Sequence, residues 1–360
     1  MSRSRAIKAI KFEPIDMIPS MEYTTGLSRQ NLLAVTGIDP LKNYKDSLLR
    51  LIELMEIDIH GPLPDEKHLS VSENIESLVE TDIPQQADWG LTQGTKVLDG
   101  ARKELSLDSP ESVLRFEPLE WDQRSEDELF NEFSIFHRRN LNMFGKRCLA
   151  EEDIYTTLFH WCIDTFGWEN FMLAAAMDEK RFEEILLQFK ELSIRRTKAW
   201  ARVEGLEFFM CHDDLCMTRG PVFAPNWYRK YIFPHYHDIM TPIKQSGIPI
   251  IFTSDGNYLD MADDIVACGY DGLVFEQAVD IKAMIKKFGG RIILIGGPDI
   301  RILTLGSVED VKKHLKEVFS IVKGIPGYFY STSGSLTSNI PYENLRTYID
   351  LSVNLRAEVC

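Results

Sequence analysis

Pro249-Ile250-Ile251-Phe252-Thr253-Ser254-Asp255-Gly256 reads as an apolar, β-branched strand of the kind buried on both faces, stopped by a polar turn. A helical segment over 258–268 follows, Gly269 closes it, and Gly272-Leu273-Val274-Phe275 is a second apolar strand that stops at Glu276. Together they make a βαβ unit, and parallel α/β folds bind their ligands at the carboxyl ends of such strands. Each strand delivers an acid to that end, Asp255 from one and Glu276 from the other. Two buried carboxylates need a cation, a shared proton or a polar ligand.

The rest of the chain supports a large α/β protein. Its 360 residues exceed a typical domain but suit an α/β barrel, and 44% apolar residues supply a large core. With 40 basic against 55 acidic residues the formal net charge is −15, and no basic block stands out. A nucleic-acid backbone or an anionic membrane is therefore not the expected partner, which leaves small molecules and other proteins. Cys148, Cys162, Cys211, Cys216, Cys268 and Cys360 show no C-x-x-C pair and read as reduced thiols of a cytoplasmic protein. The start of the chain lacks the apolar core of a signal peptide, and no apolar run approaches the roughly 18 residues of a membrane span. Homodimer formation is left open.

Working outward from 249–276, apolar runs predict further strands at 18–23, 57–61, 154–159, 206–211, 291–295 and 327–330. Helical periodicity falls between them, at 43–55, 125–145, 168–176, 179–204, 225–246, 281–288, 308–321 and from 341 onward. Pro234 and Pro242 are expected to kink or interrupt the helix at 225–246. Eight strands separated by helices predict a (β/α)8 TIM barrel, one domain over 1–360. Residues 62–120 break the pattern with hairpin-like runs at Asp88-Trp89-Gly90 and Gln93-Gly94-Thr95-Lys96-Val97. They read as an inserted lid region after the second strand, or as a surface excursion with packing duties alone.

Polar residues stand at nearly every strand end: Glu22, Asp58, His60, His160, His212, Asp213, Asp214, Thr253, Asp255, Glu276, Asp299 and the serines at 331, 333 and 335. A lone acid in such a place is commonly a helix cap, the role expected of Asp213 and Asp299. Neighbouring barrel strands would bring His212, Asp214, Asp255 and Glu276 together, which makes those four the leading functional set. His235 and His237, two apart on a helix, point away from each other and suit no shared ion. No dinucleotide fingerprint, Walker loop or nucleophile-elbow signature is present.

The order of motifs carries a resemblance. Ala6-Ile7 through Ile18-Pro19, His212-Asp213-Asp214-Leu215 with Arg219-Gly220-Pro221, Ser254-Asp255-Gly256, Ile295-Gly296-Gly297-Pro298-Asp299 and Pro341-Tyr342-Glu343-Asn344-Leu345 follow one another as in a known superfamily. The chain outside 62–120 resembles the uroporphyrinogen decarboxylase superfamily, which includes the cobalamin-dependent methyltransferases. The resemblance implies the barrel, with an open cleft at its carboxyl end. True decarboxylases of the haem pathway carry an arginine-rich signature after the first strand; here that position reads Glu22-Tyr23-Thr24-Thr25-Gly26. An acid there is electrostatically wrong for a polyanionic tetrapyrrole. Methyltransferases with a thiol acceptor carry His-x-Cys on the strand matching 249–255 and a cysteine after the last strand, and these bind zinc. In this chain those positions fall on Thr253, Asp255 and Ser333 or Ser335. The set that remains is harder and oxygen-rich, yet still able to hold zinc.

The branch that fits best moves a methyl group from a small donor, a phenyl methyl ether, to a corrinoid carried by a partner protein. On this reading His212 and Asp214 are catalytic with His60 in reserve, Glu22, Tyr23, Trp161 and Ser333 bind the donor, and Asp255, Glu276 and His212 hold zinc. Two other readings stay open: a decarboxylase or other lyase of the same fold acting on a small acid, and a binding protein that lost catalysis with its cysteines.

Overall fold

The computed structural model describes residues 2–23, 26–61, 107–332 and 334–358. Its strands in chain order are β1 (Ser20–Glu22), β2 (Ile59–His60), β3 (Leu149–Ala150), β4 (Asp153–Tyr155), β5 (Phe209–His212), β6 (Cys216–Met217), β7 (Gly220–Pro221), β8 (Ile250–Thr253), β9 (Gly272–Val274), β10 (Ile293–Gly296) and β11 (Tyr328–Ser331). Nine of these are parallel, whereas β6 and β7 form an antiparallel ribbon. Parallel strands alternating with helices make this an α/β fold of the TIM-barrel kind.

Two compact units are distinguished, and the boundary between them falls inside β9. One comprises the described residues of Met1–Gly90, Asn140–Glu151 and Val274–Cys360, the other those of Leu91–Arg139 and Glu152–Leu273. In the first unit β3, β2, β1, β11 and β10 lie side by side in that order, with Ile59 beside Leu149, Met21 beside Ile59 and Ser20 beside Tyr330. Its helix Val308–Val322 turns Val311, Leu315, Val318, Phe319 and Val322 inward, a spacing that lines one helical face. Ser307 and Asp310 close its amino end as a capping box.

In the second unit β4, β5 and β8 are neighbours, with Asp153 beside Met210 and Met210 beside Ile251. Ile250, Ile251 and Phe252 of β8 are 0% exposed and Thr253 is 6% exposed, as expected for a strand covered on both faces. The long helix Glu179–Ala201 buries Phe182, Ile185, Leu186, Phe189 and Leu192 against this unit's core.

Several expectations are corrected. Nine parallel strands replace eight, because the two-residue β3 is too short to leave a periodic signal. The strand expected at 154–159 ends at Tyr155, and a helix begins at Phe159. The helix at 225–246 is interrupted next to Pro234, as its prolines led one to expect, into Pro225–Tyr231 and Phe233–Gln245. Pro234, in the first turn of the second helix, has no N–H with which to continue the first, whereas Pro242 is accommodated inside the second helix. Most of the expected insertion, 62–106, lies outside the described residues; its tail holds the short helices Pro110–Leu114 and Pro118–Trp121. Among the described residues no helix is long and apolar enough to cross a membrane. Cys148, Cys162, Cys211, Cys216 and Cys268 are free thiols.

One buried charge network ties the ends of the first unit together. Asp58, 0% exposed, accepts from Arg5 Nε and from the Ser20 N–H, both at 2.8 Å, with Arg356 Nη2 at 3.9 Å. Arg356, in the terminal helix Tyr342–Ala357, donates to the carbonyls of Ile18 (2.9 Å), Met55 (3.0 Å) and Glu56 (2.8 Å). Arg356→Met strips three carbonyls of their donor and weakens the compensation of a buried acid. It is expected to destabilise the protein by about 3 kcal/mol, read as a lower urea midpoint at unchanged slope.

Candidate active site

The second unit gathers histidines and acids at the ends of its strands. Tyr155 on β4 and His212 on β5 are register partners, and their rings stand 5.1 Å apart, tilted by 54°. Asp153, two residues before Tyr155, shares its strand face, and its Oδ2 lies 3.6 Å from His212 Nε2.

Beyond β4 the chain enters the helix Phe159–Phe166, whose own N-cap residue, Leu158, supplies no side-chain hydrogen bond. The cap comes from the loop after β5. Asp213 Oδ2 accepts from the N–H groups of Leu158 (3.0 Å) and Phe159 (2.9 Å), and Oδ1 accepts from that of His160 (2.6 Å). The Tyr236 hydroxyl donates to Oδ2 as well, at 2.8 Å. Burial raises the Asp213 carboxyl to about 6, against the pull of these donors. The capping role expected of Asp213 is thus observed, and so is that of Asp299, which caps the helix Ile300–Leu305 through the Arg301 N–H at 2.8 Å.

Asp213 sets the position of His160. Its Nε2 lies 3.2 Å from Asp164 Oδ1, one helical turn on, and its Nδ1 lies 3.9 Å from Asp214 Oδ2. The other oxygen of Asp214 accepts the Asp255 N–H at 2.8 Å. Gly256 then turns the chain at φ 78°, where a Cβ would sit 2.6 Å from the carbonyl oxygens of Cys216 and Met217. Tyr155 responds to the whole set: burial pushes its hydroxyl pKa up, and the charges of Asp214, Asp164, Asp255 and Asp153 push the same way. For His160, burial acts to lower the pKa, but the hydrogen bond to Asp164 and the charges of Asp214, Asp164 and Asp213 outweigh it and raise it to about 9. A protonated imidazole held among carboxylates is therefore present at neutral pH.

Of the residues singled out in the sequence, His212, Asp214 and Asp255 belong to this nest, with Asp255 at its exposed edge. Trp161 is fully buried, covered by Phe189 at 5.4 Å and by the Arg196 guanidinium at 4.0 Å. Glu22, His60, Tyr23 and Glu276 lie in the first unit. Glu22 is buried, accepting from the Thr332 and Tyr348 hydroxyls, and burial raises it to about 7 against those donors and Arg356. His60, its register partner, has Nδ1 2.8 Å from the Gly61 carbonyl and its ring 5.4 Å from that of Phe144. Burial pushes His60 down to about 4, so it is neutral and has no charge to offer. Tyr23 is half-buried, its carbonyl tight against Gly61. Glu276 accepts from the Gln277 amide at 3.0 Å. Ser333 lies outside the described residues.

Asp153, Tyr155 and Asp164 were missed. His160 and Asp164 carry an i, i+4 signal that becomes legible once the helix is started at Phe159. For a metal, the imidazole and carboxylate of His212 and Asp153 are the ligand-type pair this unit brings together, an ordinary zinc donor chemistry.

A parallel α/β fold with such a nest at its strand ends is the kind of site that TIM-barrel enzymes carry. The family model described as uroporphyrinogen decarboxylase (URO-D) matches residues 158–354, more than half of the chain, and the chain belongs to this family. It is 23% identical over 175 residues to a uroporphyrinogen decarboxylase of Legionella pneumophila (strain Corby), covering 48% of each chain. It is 25% identical over 130 residues to the methylcobamide:CoM methyltransferase MtbA of Methanosarcina acetivorans, covering 36% of this chain and 37% of that one. The chain thus spans about half the length, or less, of these curated relatives. A methyltransferase from Methanosarcina mazei has the same fold, with a TM-score of 0.61 over 99% of this chain and 98% of that one at 18% identity.

The raised pKa of His160 makes a signed prediction. Its protonated form is favoured by folding, so its contribution to stability is complete below about pH 6.5 and is lost as pH rises through about 9. Stability should fall by about 1–3 kcal/mol across that window, and the fall should vanish in His160→Gln. A proton NMR titration that places the His160 ring near its ordinary value would contradict this.

Proposed function

We propose that this chain is a methyltransferase that takes a methyl group from a small oxygen-linked donor, a phenyl methyl ether, and delivers it to a corrinoid carried by a partner protein. The observation that carries the reading is the placement of the His160 ring, with Nε2 3.2 Å from Asp164 Oδ1 and Nδ1 facing Asp214 Oδ2 at 3.9 Å. Breaking the methyl–oxygen bond sends the methyl group to the nucleophile and the electron pair to oxygen, leaving a phenolate with a basicity near pKa 10. A proton donor close to that value lowers the barrier most effectively, and His160 at about 9 is well matched. Asp164 orients the ring, Asp214 faces it across 3.9 Å, and Asp213 holds the helix end from which it projects.

The corrinoid of the partner supplies the nucleophile that takes up the methyl group. Zinc, held by His212 with Asp153 and supplemented by Asp255 of the same unit, would add a Lewis acid at the donor oxygen. The relative named as a methylcobamide methyltransferase supports methyl transfer, and the oxygen side chains at the positions of the missing thiolates, Asp255 and Ser333 or Ser335, favour an oxygen-linked donor over a thiol acceptor. A second reading, decarboxylation of a small acid, is favoured by the relatives named uroporphyrinogen decarboxylase. The same protonated histidine would then deliver its proton to carbon.

The test supplies the protein with a reduced corrinoid protein and a panel of methoxylated aromatics and follows methylcobalamin formation by absorbance. His160→Gln should lower kcat about 100-fold or more while KM changes little, because the proton is needed only as the bond breaks. Carbon dioxide release from a small acid without any corrinoid, together with no methylation across the panel, would move the assignment to the lyase.

A further inference from the structure

Next to this nest, on the far side of His160's neighbour Trp161, the second unit buries a cation whose donors are unspent among the described residues. Arg196, on the helix Glu179–Ala201, is 1% exposed, and its Nε, Nη1 and Nη2 have no hydrogen-bond partner among the described residues. Its guanidinium lies over the ring of Trp161, 4.0 Å from the centroid. Trp161 is 0% exposed, and its Nε1 also lacks a partner among the described residues. Arginine and indole are donors only, so neither can satisfy the other.

The surrounding acids are already engaged. Asp122, 3% exposed, accepts from Arg124 Nε at 2.9 Å and from its Nη2 at 2.7 Å, and Glu132 accepts from Arg124 Nη1 at 3.1 Å. Asp153 faces His212 at 3.6 Å. The carbonyls of Asp122 and Arg124 accept from Arg195 at 2.7 and 3.0 Å. Burial lowers the Arg196 pKa to about 10, and the like charge of Arg124 acts in the same direction, with Asp122, Glu132 and Asp153 opposing. A buried guanidinium in this situation is among the most unfavourable of buried groups unless an acceptor reaches it. Trp161 covers a face of the guanidinium, so an acceptor must come to its edge, where the N–H fork points. The acceptor must be compact, since both donor side chains are fully enclosed, and a negative charge on it would offset the arginine.

We propose that Arg196 and Trp161 form a binding site for a small monoanion, a halide or a compact oxoanion of the nitrate or formate type, held as a structural ion. The test is the thermal midpoint of the full chain in sodium chloride, sodium nitrate and sodium gluconate at equal ionic strength, gluconate being too large to enter. A saturable rise in chloride or nitrate over gluconate is expected, with the salt that acts distinguishing halide from oxoanion. Arg196→Met should abolish the rise. Trp161→Phe keeps a ring beneath the guanidinium and deletes one donor, so it should weaken the apparent anion affinity about ten-fold without changing the midpoint in gluconate by more than a few degrees. Should Arg196→Met fail to fold, the Trp161→Phe response decides the matter alone. Equal midpoints of the wild-type chain in all three salts, or a Trp161→Phe variant that responds to anions as the wild type does, would overturn the proposal and leave water as the partner of Arg196.

Discussion

The carboxylate of Asp213 is the constraint on which the nest of the second unit depends. It gathers three consecutive main-chain N–H groups, Leu158 to His160, and the Tyr236 hydroxyl. Those N–H groups are the orphan donors of a helix start, and the positive end of the helix dipole favours an anion there. The same residue is covalently followed by Asp214. His160 and Asp214 therefore flank Asp213, one through a hydrogen bond to its own N–H and the other through a peptide link. The main chain thus brings the two residues close, and their side chains stand with Nδ1 3.9 Å from Oδ2.

Strand-end histidines and acids occur in both units, and their surroundings give them opposite chemistry. His60, packed against Phe144 with a carbonyl on Nδ1, is driven neutral; His160, with Asp164 and Asp214 beside it, is driven protonated. The acids show the same dependence on partner. Burial raises both acids, Asp58 against Arg5 and Arg356 and Glu22 against the hydroxyls of Thr332 and Tyr348 and against Arg356. Place in the fold thus nominates a residue, and the identity of its neighbours assigns the role.

That distinction explains what was legible in the sequence. The strands of 249–276 and the helix Tyr44–Met55 were found within a residue or two, because apolar runs are local signals. The helix start at Phe159 was not found, because its cap is supplied 53 residues further along the chain. Extending the preceding strand to 159 hid the His160–Asp164 pair, and beginning it at 154 left Asp153 outside it. His212, Asp214 and Asp255, singled out in the sequence as strand-end residues, lie in the second unit. Glu22 and Trp161 were placed near the right elements, yet their side chains pack into buried layers, and which face a residue takes depends on register and tertiary contact.

Thr253 and Asp255 stand where the thiol-acceptor branch carries its histidine and cysteine, and their main chain is engaged. The Thr253 carbonyl accepts the Asp213 N–H at 3.1 Å, and the Asp255 N–H donates to Asp214 at 2.8 Å. On the β8 side these contacts use the main chain of residues 253 and 255; on the β5 side they use the Asp213 N–H and the Asp214 carboxylate. The side chain at 255 can then change from soft sulfur to hard oxygen without disturbing the contacts that position Asp213 and, through it, His160. A scaffold aligned by main chain leaves the side chains at 253 and 255 free to vary in their donor chemistry.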